Sequence, residues 1–184
     1  MSPMVSMPLT LEHALLGFLR QRPMHAYEMH QHLAHAKTLG RVWHLKQSHL
    51  YALLARLENA GYIATSTEQQ GSRPPRKVMS LTADGRAAFE RWLIEPVAHG
   101  RDFRIEFLAK LFFASENGVA TAPTLIDRQR QACDGWLVDL GRQVEALAPD
   151  RTYDQLVLRF RISQITAIRS WLDVCADTLA PTSP

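Results

Sequence analysis

The chain has 184 residues, of which 46% are hydrophobic, so it can bury one or two cores and is not a disordered chain. Its net charge of +3 is modest, no apolar run is long enough to span a bilayer, and the N-terminus lacks a secretory signal pattern. Cys133 and Cys175 are far apart, which excludes a disulfide framework and a four-thiolate zinc site. These features predict a cytoplasmic globular protein without a membrane segment.

Three helices are predicted before residue 61. The first covers Leu11–Leu19 with Thr10 as its N-cap, and the second covers about Ala26–Lys37. The third has a buried face at the i, i+3, i+4, i+7 spacing, and Gly61 is placed to end it in a left-handed conformation. That face consists of Leu50, Leu53, Leu54 and Leu57.

A β-hairpin and a fourth helix are predicted to follow. Residues 62–67 and 76–81 are predicted as strands, and residues 70–75, which include two prolines, as the loop between them. Thr82 is the predicted N-cap of a helix that ends near Glu95. Helix, helix, helix, hairpin, helix is the order of a winged helix-turn-helix, which is therefore predicted for residues 1–95.

The remaining chain is predicted to be helical. Residues 96–103 are predicted as a linker and 104–184 as a helical dimerisation domain, so the predicted fold class is mainly α with a two-stranded wing. Helices are expected at 105–114, 123–147 and 152–179, the last opened by a capping box of Thr152 and Gln155. The last helix has two apolar stripes, of which one can pack in the core and the other against a second copy of the chain, although packing of both inside a monomeric three-helix domain stays open. The first stripe is Leu158, Ile162, Ile165 and Leu172, and the second is Ile168, Trp171 and Cys175.

Positive charge is concentrated in the first domain. Residues 1–95 carry 11 Lys or Arg and 7 Asp or Glu, a balance of +4, whereas residues 96–184 carry 10 and 11, a balance of −1. Seven basic and two acidic residues lie between Lys37 and Lys77. Such an excess is typical of a surface that faces phosphates, although a solvated basic face without any ligand has the same composition.

The third helix and the hairpin tip carry the predicted DNA contacts. Small and polar residues opposite the leucines allow a close approach to base edges, and a rigid basic tip can clamp phosphates or enter a minor groove. Ser48 and His49 are predicted to read bases, because they lie in the first helical turn. Tyr51, Arg76 and Lys77 are predicted to hold the DNA backbone. The complete predicted set is Lys46, Ser48, His49, Tyr51, Ala52, Arg56, Arg73, Arg76 and Lys77.

Three segments resemble motifs of the PadR family of transcriptional regulators. They are Pro23–Met29, Leu50–Ile63 and Arg76–Gly85, and Phe103–Phe113 is similar to the first helix of that family's C-terminal domain. The resemblance covers nearly the whole chain and is more specific before residue 95 than after residue 120. The chain departs from the family pattern at three places: Ala26 replaces a common glycine, Ala52 a frequent proline or arginine, and Val78–Met79 an aromatic pair.

The resemblance implies a homodimer that binds double-stranded DNA, pairs through its C-terminal helices and usually represses a nearby gene. Two recognition helices must reach successive major grooves, so we expect an inverted repeat with half-sites about 34 Å apart. Some family members respond to small molecules, including phenolic acids, which implies an effector here. Core packing is the more common role for the aromatic residues near the predicted junction, so we assign no ligand residue. Those aromatic residues are Trp43, Phe103, Phe107 and Trp136.

Other classes of function have weaker support. His25, His32 and His35 lie near one face of the second helix, which keeps a metal-responsive regulator open, but HExxH is absent and no metal is predicted. Hydrolase, P-loop and dinucleotide-binding motifs are absent, so we predict no enzyme, catalytic residue or cofactor. A helical module that binds protein is the other alternative. Its binding would tolerate high salt and the loss of Arg76, whereas DNA binding would not.

Overall fold

The structure, a computed structural model, describes residues 12–34, 39–43, 45–70 and 73–180. The mainly helical class with a two-stranded wing is confirmed. Thr10 and Leu11, where the first helix was predicted to begin, lie outside the described residues. The helices are α1 (His13–Gln21), α2 (Ala26–Ala34), α3 (Gln47–Asn59), α4 (Ala83–Ile94), α5 (Glu106–Glu116), α6 (Thr121–Glu145) and α7 (Thr152–Leu179). The strands are β1 (Ile63–Gln70) and β2 (Arg73–Leu81), and short 3₁₀ turns lie at Leu39–Arg41 and Gly100–Arg104.

The chain divides into two compact units whose boundary differs from the predicted one. The first unit takes the chain up to Leu93 together with Arg104–Phe113, and the second takes Ile94–Phe103 and the chain from Ala114. Most of α5 therefore packs with the winged helix, although it follows the predicted linker. Aromatic packing explains this, because the Phe113 ring lies 5.3 Å from that of Phe18 and 5.7 Å from that of Phe89, in edge-to-face contacts.

The predicted C-terminal end of α3 and the predicted start of α4 are confirmed by their local geometry. The four leucines of α3 are buried, and Gly61 has a φ of 74°, the left-handed conformation that ends a helix. Thr82 Oγ1 accepts a hydrogen bond of 3.0 Å from the Gly85 amide, which caps α4. The same hydroxyl donates to the Gly61 carbonyl at 2.7 Å. One threonine therefore joins the end of α3 to the start of α4.

The wing is longer than predicted. Both strands extend into the predicted loop, with Gln70 opposite Arg73 and Glu68 opposite Arg76. A register irregularity between Glu68 and Gln70 accommodates the prolines, which are tolerated at bulges and in edge strands because they lack an N–H group. Backbone hydrogen bonds of 3.0 and 3.1 Å also join Met24 to Met79. Met24, which precedes α2, therefore pairs with the second strand of the wing through a single-residue β-bridge.

The second unit is built on the antiparallel pair α6 and α7. Arg130 is hydrogen-bonded to Asp173, and Arg169 Nε donates to Asp134 at 3.1 Å, so the two helices run in opposite directions. Gln129 is fully buried and its Oε1 accepts a 2.8 Å hydrogen bond from the Val97 amide. The predicted linker is thereby fixed to α6. None of the described helices combines the length and hydropathy of a membrane span.

Two predictions about α7 are wrong. Gln155 Nε2 donates to the Pro149 carbonyl at 3.3 Å, and Arg151 precedes the helix without a side-chain cap, so Thr152 and Gln155 form no capping box. Cys175 is buried with the core stripe and does not face outward. The buried face of α7 therefore includes Cys175, near the end of the helix, in addition to its leucines and isoleucines.

Lys110 of α5 is almost completely buried in the first unit. Its Nζ lies 3.0 Å from Glu106 Oε1 and 5.1 Å from the centroid of the Trp92 ring, while Trp92 Nε1 donates to the same Glu106 oxygen at 3.2 Å. We expect Lys110→Met to lower the free energy of unfolding by about 3–5 kcal/mol, because it leaves a buried carboxylate without its cation. Urea unfolding followed by circular dichroism, at fixed protein concentration, measures this.

The double variant Glu106→Gln/Lys110→Met is the matched control. It removes both charges and retains an acceptor for the Trp92 indole, so we expect it to be more stable than Lys110→Met alone. A single variant within about 0.5 kcal/mol of the unmodified protein, the usual range for surface substitutions, would contradict a role for this ion pair.

Candidate nucleic-acid interface

The exposed face of α3 begins at its N-terminus. Lys46, Ser48 and His49 are exposed, and Lys46, the residue before the helix, makes no side-chain cap hydrogen bond. The amide groups of a first helical turn and the positive end of the helix dipole favour an anion at this position. Ala52 is exposed one turn further on, where its small side chain leaves room for a close approach. The arrangement suits a helix end that approaches phosphates and base edges.

Tyr51, Arg76 and Lys77 are brought together around one groove. This groove, of about 890 Å³, lies between α2, α3 and the wing. The Tyr51 side chain is 50% exposed, and Arg76 and Lys77 are exposed on β2. The side chain of Arg73 lies outside the described residues. The groove is lined by His25, Ala26, Tyr27, Glu28, Gln31, Tyr51, Leu54, Ala55, Glu58, Ile63, Thr65, Arg76, Lys77 and Met79.

Arg56 differs from the other predicted contacts, because it is bound within the protein. Its guanidinium forms a hydrogen-bonded ion pair with Glu12, whose side chain is only 8% exposed. An arginine that compensates a buried carboxylate is held by that carboxylate and loses freedom to reach a phosphate. The structure therefore places Arg56 at the packing contact between α3 and the residue before α1.

His25 connects α2 to the wing, a role that sequence reasoning missed. Its Nδ1 lies 2.9 Å from the Lys77 carbonyl oxygen. A carbonyl only accepts, so Nδ1 carries the hydrogen and donates it, and Nε2 is left for other partners. The next aromatic side chain, Tyr27, is 60% exposed and lines the groove. The motif Pro23–Met29 contained both residues, but their distance from Lys77 could not be read from it.

Two acidic residues also line the groove. Arg22 donates a hydrogen bond to Glu28, and this bond holds the pKa of the Glu28 carboxyl below its ordinary value. Glu28 is therefore a carboxylate whose charge is compensated by a cation beside it. Glu58 is exposed near the C-terminal end of α3. Positive charge is thus strongest at the start of α3 and on the wing, at the two ends of the predicted contact surface.

The three histidines that leave a metal-responsive regulator open as an alternative are not brought together in the described part of the chain. His25 is bound to the wing, and His32 stacks on Phe18 at 6.0 Å between centroids, while His35 lies outside the described residues. No group of three metal-ligand side chains occurs among the residues that the structure describes. Both cysteines are buried, and burial raises the pKa of the Cys133 thiol and raises that of Cys175 to about 11. Such thiols are poor nucleophiles at neutral pH.

Two family models match the chain. Residues 15–91 match the transcriptional regulator PadR-like family, and residues 103–180 match a family described as virulence activator alpha C-term. Negative transcriptional regulator PadR of Bacillus subtilis is 30% identical over 137 residues, which is 74% of each chain. A probable transcriptional regulator of Mycobacterium tuberculosis is 28% identical, over 93% of this chain and 98% of its own.

Solved structures of the Bacillus subtilis protein are also similar to this chain. Its complex with operator DNA has a TM-score of 0.46 at 28% identity and covers 92% of this chain and 98% of its own. Its complex with p-coumaric acid has a TM-score of 0.42 at 26% identity, with the same coverage. The operator DNA and the p-coumaric acid in these structures are ligands of the Bacillus subtilis protein.

Proposed function

Since the chain belongs to the PadR-like family of DNA-binding transcriptional regulators, we propose that it acts as a homodimeric repressor on an inverted-repeat operator. The observation that carries this proposal is the convergence of Tyr51 with Arg76 and Lys77 around one groove, beside the exposed start of α3. A recognition helix with an adjacent basic wing can read a major groove and hold the flanking phosphates at the same time.

The residues of the interface divide by their position. Ser48 and His49 are proposed to read bases, while Lys46, Tyr51, Arg76 and Lys77 hold phosphates and Ala52 allows the backbone to approach. Arg73 belongs to the same wing by its position in β2. Arg56 is proposed to act indirectly, by holding α3 against Glu12.

A salt titration of DNA binding tests the proposed function. A gel shift with the DNA upstream of the protein's own gene should give a retarded band whose affinity falls steeply as salt is raised, because bound phosphates release counterions. Footprinting should protect two half-sites about 34 Å apart, one helical turn, if a two-fold dimer binds. The proposal fails if no upstream fragment is bound in a salt-dependent manner.

Base reading by the first turn of α3 predicts a loss of specificity. We expect Ser48→Ala and His49→Ala each to lower operator affinity by about 1–3 kcal/mol, with little change on scrambled DNA, because base contacts distinguish sequences and phosphate contacts do not. Fluorescence anisotropy on both DNAs measures the difference. Asn59→Ala is the control, because Asn59 is exposed at the other end of α3 and does not line the groove. An equal loss on both DNAs would assign these residues to the phosphate backbone.

The dimer is proposed to form through an exposed apolar stripe on α7. Tyr153, Phe160 and Val174 are 77%, 68% and 56% exposed, and the spacing of seven residues places them with Ala167 on one face. Leu156 and Trp171 flank that face and are also exposed. The buried residues of α7 occupy a different face, so the helix can serve its own core and a partner. Ile168, predicted to face a partner, is half-buried, and Trp171 alone of the predicted second stripe is exposed.

Repression and its relief by a small molecule complete the proposal. The name of the Bacillus subtilis relative describes negative regulation, which supports the sign. A small-molecule effector, for which phenolic acids are the first class to test, would bind the two DNA-binding states of the dimer with different affinity. Transcription from the bound promoter, measured in vitro with and without the protein, should fall when the protein is added. An increase would reverse the assigned sign.

A further inference from the structure

His25 is held against the wing by two separate sets of hydrogen bonds. The residue before it, Met24, is joined to Met79 of β2 by backbone hydrogen bonds of 3.0 and 3.1 Å. The half-buried His25 ring is held independently, because its Nδ1 lies 2.9 Å from the Lys77 carbonyl oxygen. A ring that is fixed through its backbone and through one nitrogen loses little conformational freedom when a ligand binds to the other nitrogen.

The hydrogen bond to the wing determines what the second ring nitrogen of His25 can do. Since Nδ1 carries the hydrogen that is donated to the Lys77 carbonyl, Nε2 of the neutral ring can only accept a hydrogen bond. A DNA phosphate oxygen is also an acceptor, so the neutral ring cannot bind it. Protonation puts a hydrogen on Nε2 and a positive charge on the ring, which can then donate to an anionic oxygen. Histidine is the side chain whose ordinary pKa, about 6.5, lies nearest to neutral pH.

His25 lines the same groove as three of the residues proposed to hold DNA phosphates. The charged and titratable residues that share this groove come in pairs from α2, α3 and β2. The two wing cations have the same charge as a protonated ring, whereas the nearby Glu28 carboxylate is compensated by Arg22. A bound phosphate neutralises the wing cations and adds negative charge beside the ring, and both changes favour the protonated form. The six groove residues are Tyr27 and Glu28 on α2, Tyr51 and Glu58 on α3, and Arg76 and Lys77 on β2.

We propose that His25 is a further contact to the DNA backbone, in which the protonated ring donates a hydrogen bond from Nε2 to a phosphate held by the wing. DNA binding therefore takes up a proton from the solvent at Nε2, and dissociation returns it. This inference rests on the proposed function and adds a residue and a pH dependence to the same interface.

The sign of the pH dependence follows from linkage. If bound DNA favours the protonated ring, protonation of the ring favours DNA binding by the same free energy, so affinity rises as the pH falls. A phosphate contact is independent of base sequence, so operator and scrambled DNA should show the same effect. Scrambled DNA also separates His25 from His49, whose proposed base contacts are made on the operator.

His25→Asn in the full chain tests the contact. The asparagine amide can replace Nδ1 as the donor to the Lys77 carbonyl, but it has no nitrogen that ionises. We expect the ratio of the two affinities for scrambled DNA, unmodified protein over variant, to be at least about tenfold greater near pH 6 than near pH 8, because a dimer carries two such rings. Calorimetry in two buffers of different ionisation enthalpy should show that the variant takes up about half a proton less per protomer near pH 7.

His30→Gln is the matched control. His30 lies on α2 and its Nε2 is 3.2 Å from the Leu45 carbonyl oxygen, but it does not line the groove. This variant should take up as many protons on DNA binding as the unmodified protein.

Two results would overturn the inference. One is equal proton uptake by His25→Asn and the unmodified protein, with the circular dichroism spectrum retained. The other is a loss of affinity that is the same near pH 6 and near pH 8, which would make His25 only a structural attachment of the wing. Absence of salt-dependent binding to any DNA is a different result, because it would overturn the proposed function and this inference with it.

Discussion

Phe160→Asp is expected to convert the proposed dimer into a monomer and to remove high-affinity operator binding. Phe160 is exposed on α7, so the single chain can tolerate the change, whereas a two-fold interface on this stripe would bury the new carboxylate twice. We expect the dimer Kd to rise about 100-fold or more, because central aromatic residues of interfaces contribute roughly 2–4 kcal/mol. Light scattering coupled to size-exclusion chromatography, over a range of concentrations, measures this.

Thr166→Asp is the control for this prediction. Thr166 is exposed on a third face of α7, away from both the buried residues and the apolar stripe, so the substitution adds the same charge to the same helix. This variant should remain dimeric and bind the operator normally. If Phe160→Asp remains a dimer at the same concentrations, the α7 stripe is not the interface, and another surface must pair the two recognition helices.

Removal of the two wing cations is expected to give the second large effect. We expect Arg76→Ala/Lys77→Ala to weaken DNA binding by about 10- to 100-fold near physiological salt, on operator and scrambled DNA alike, because phosphate contacts are independent of sequence. The plot of log affinity against log salt should become less steep by about 2, since each lost phosphate contact reduces the magnitude of its negative slope by about 0.9. The Lys77 carbonyl that holds His25 remains in this variant, so the wing keeps its attachment to α2.

The double variant Arg86→Ala/Arg91→Ala is the matched control for the wing. Arg86 and Arg91 are exposed on α4 and do not line the groove, so their removal lowers the net charge by the same two units without removing a proposed contact. A similar loss of affinity in both proteins would mean that net charge alone drives binding. Unchanged affinity and salt slope in the wing variant would mean that Arg76 and Lys77 do not hold phosphates.

The helices lie close to where the sequence predicts them, whereas several charged and polar residues have contacts in the tertiary structure that the sequence does not predict. Arg56 and Glu12 are 44 residues apart in the chain, and His25 and Lys77 are 52 residues apart. Helical periodicity reports only contacts within about one turn, so it places Arg56 on the exposed face and does not reveal that His25 is bound to the wing. Which partner compensates a charge is a property of the assembled unit.

The parts of this protein that follow local rules could be predicted from the amino-acid sequence. The leucine spacing predicts the buried face of α3, Gly61 its end, and Thr82 the start of α4, because each acts through neighbours within a few residues. Three features needed the folded chain: α5 belongs to the winged-helix unit, Cys175 faces the core, and His25 shares a groove with Tyr51 and the wing. These features depend on side-chain packing between elements distant in the chain, where several arrangements satisfy the same hydrophobic pattern.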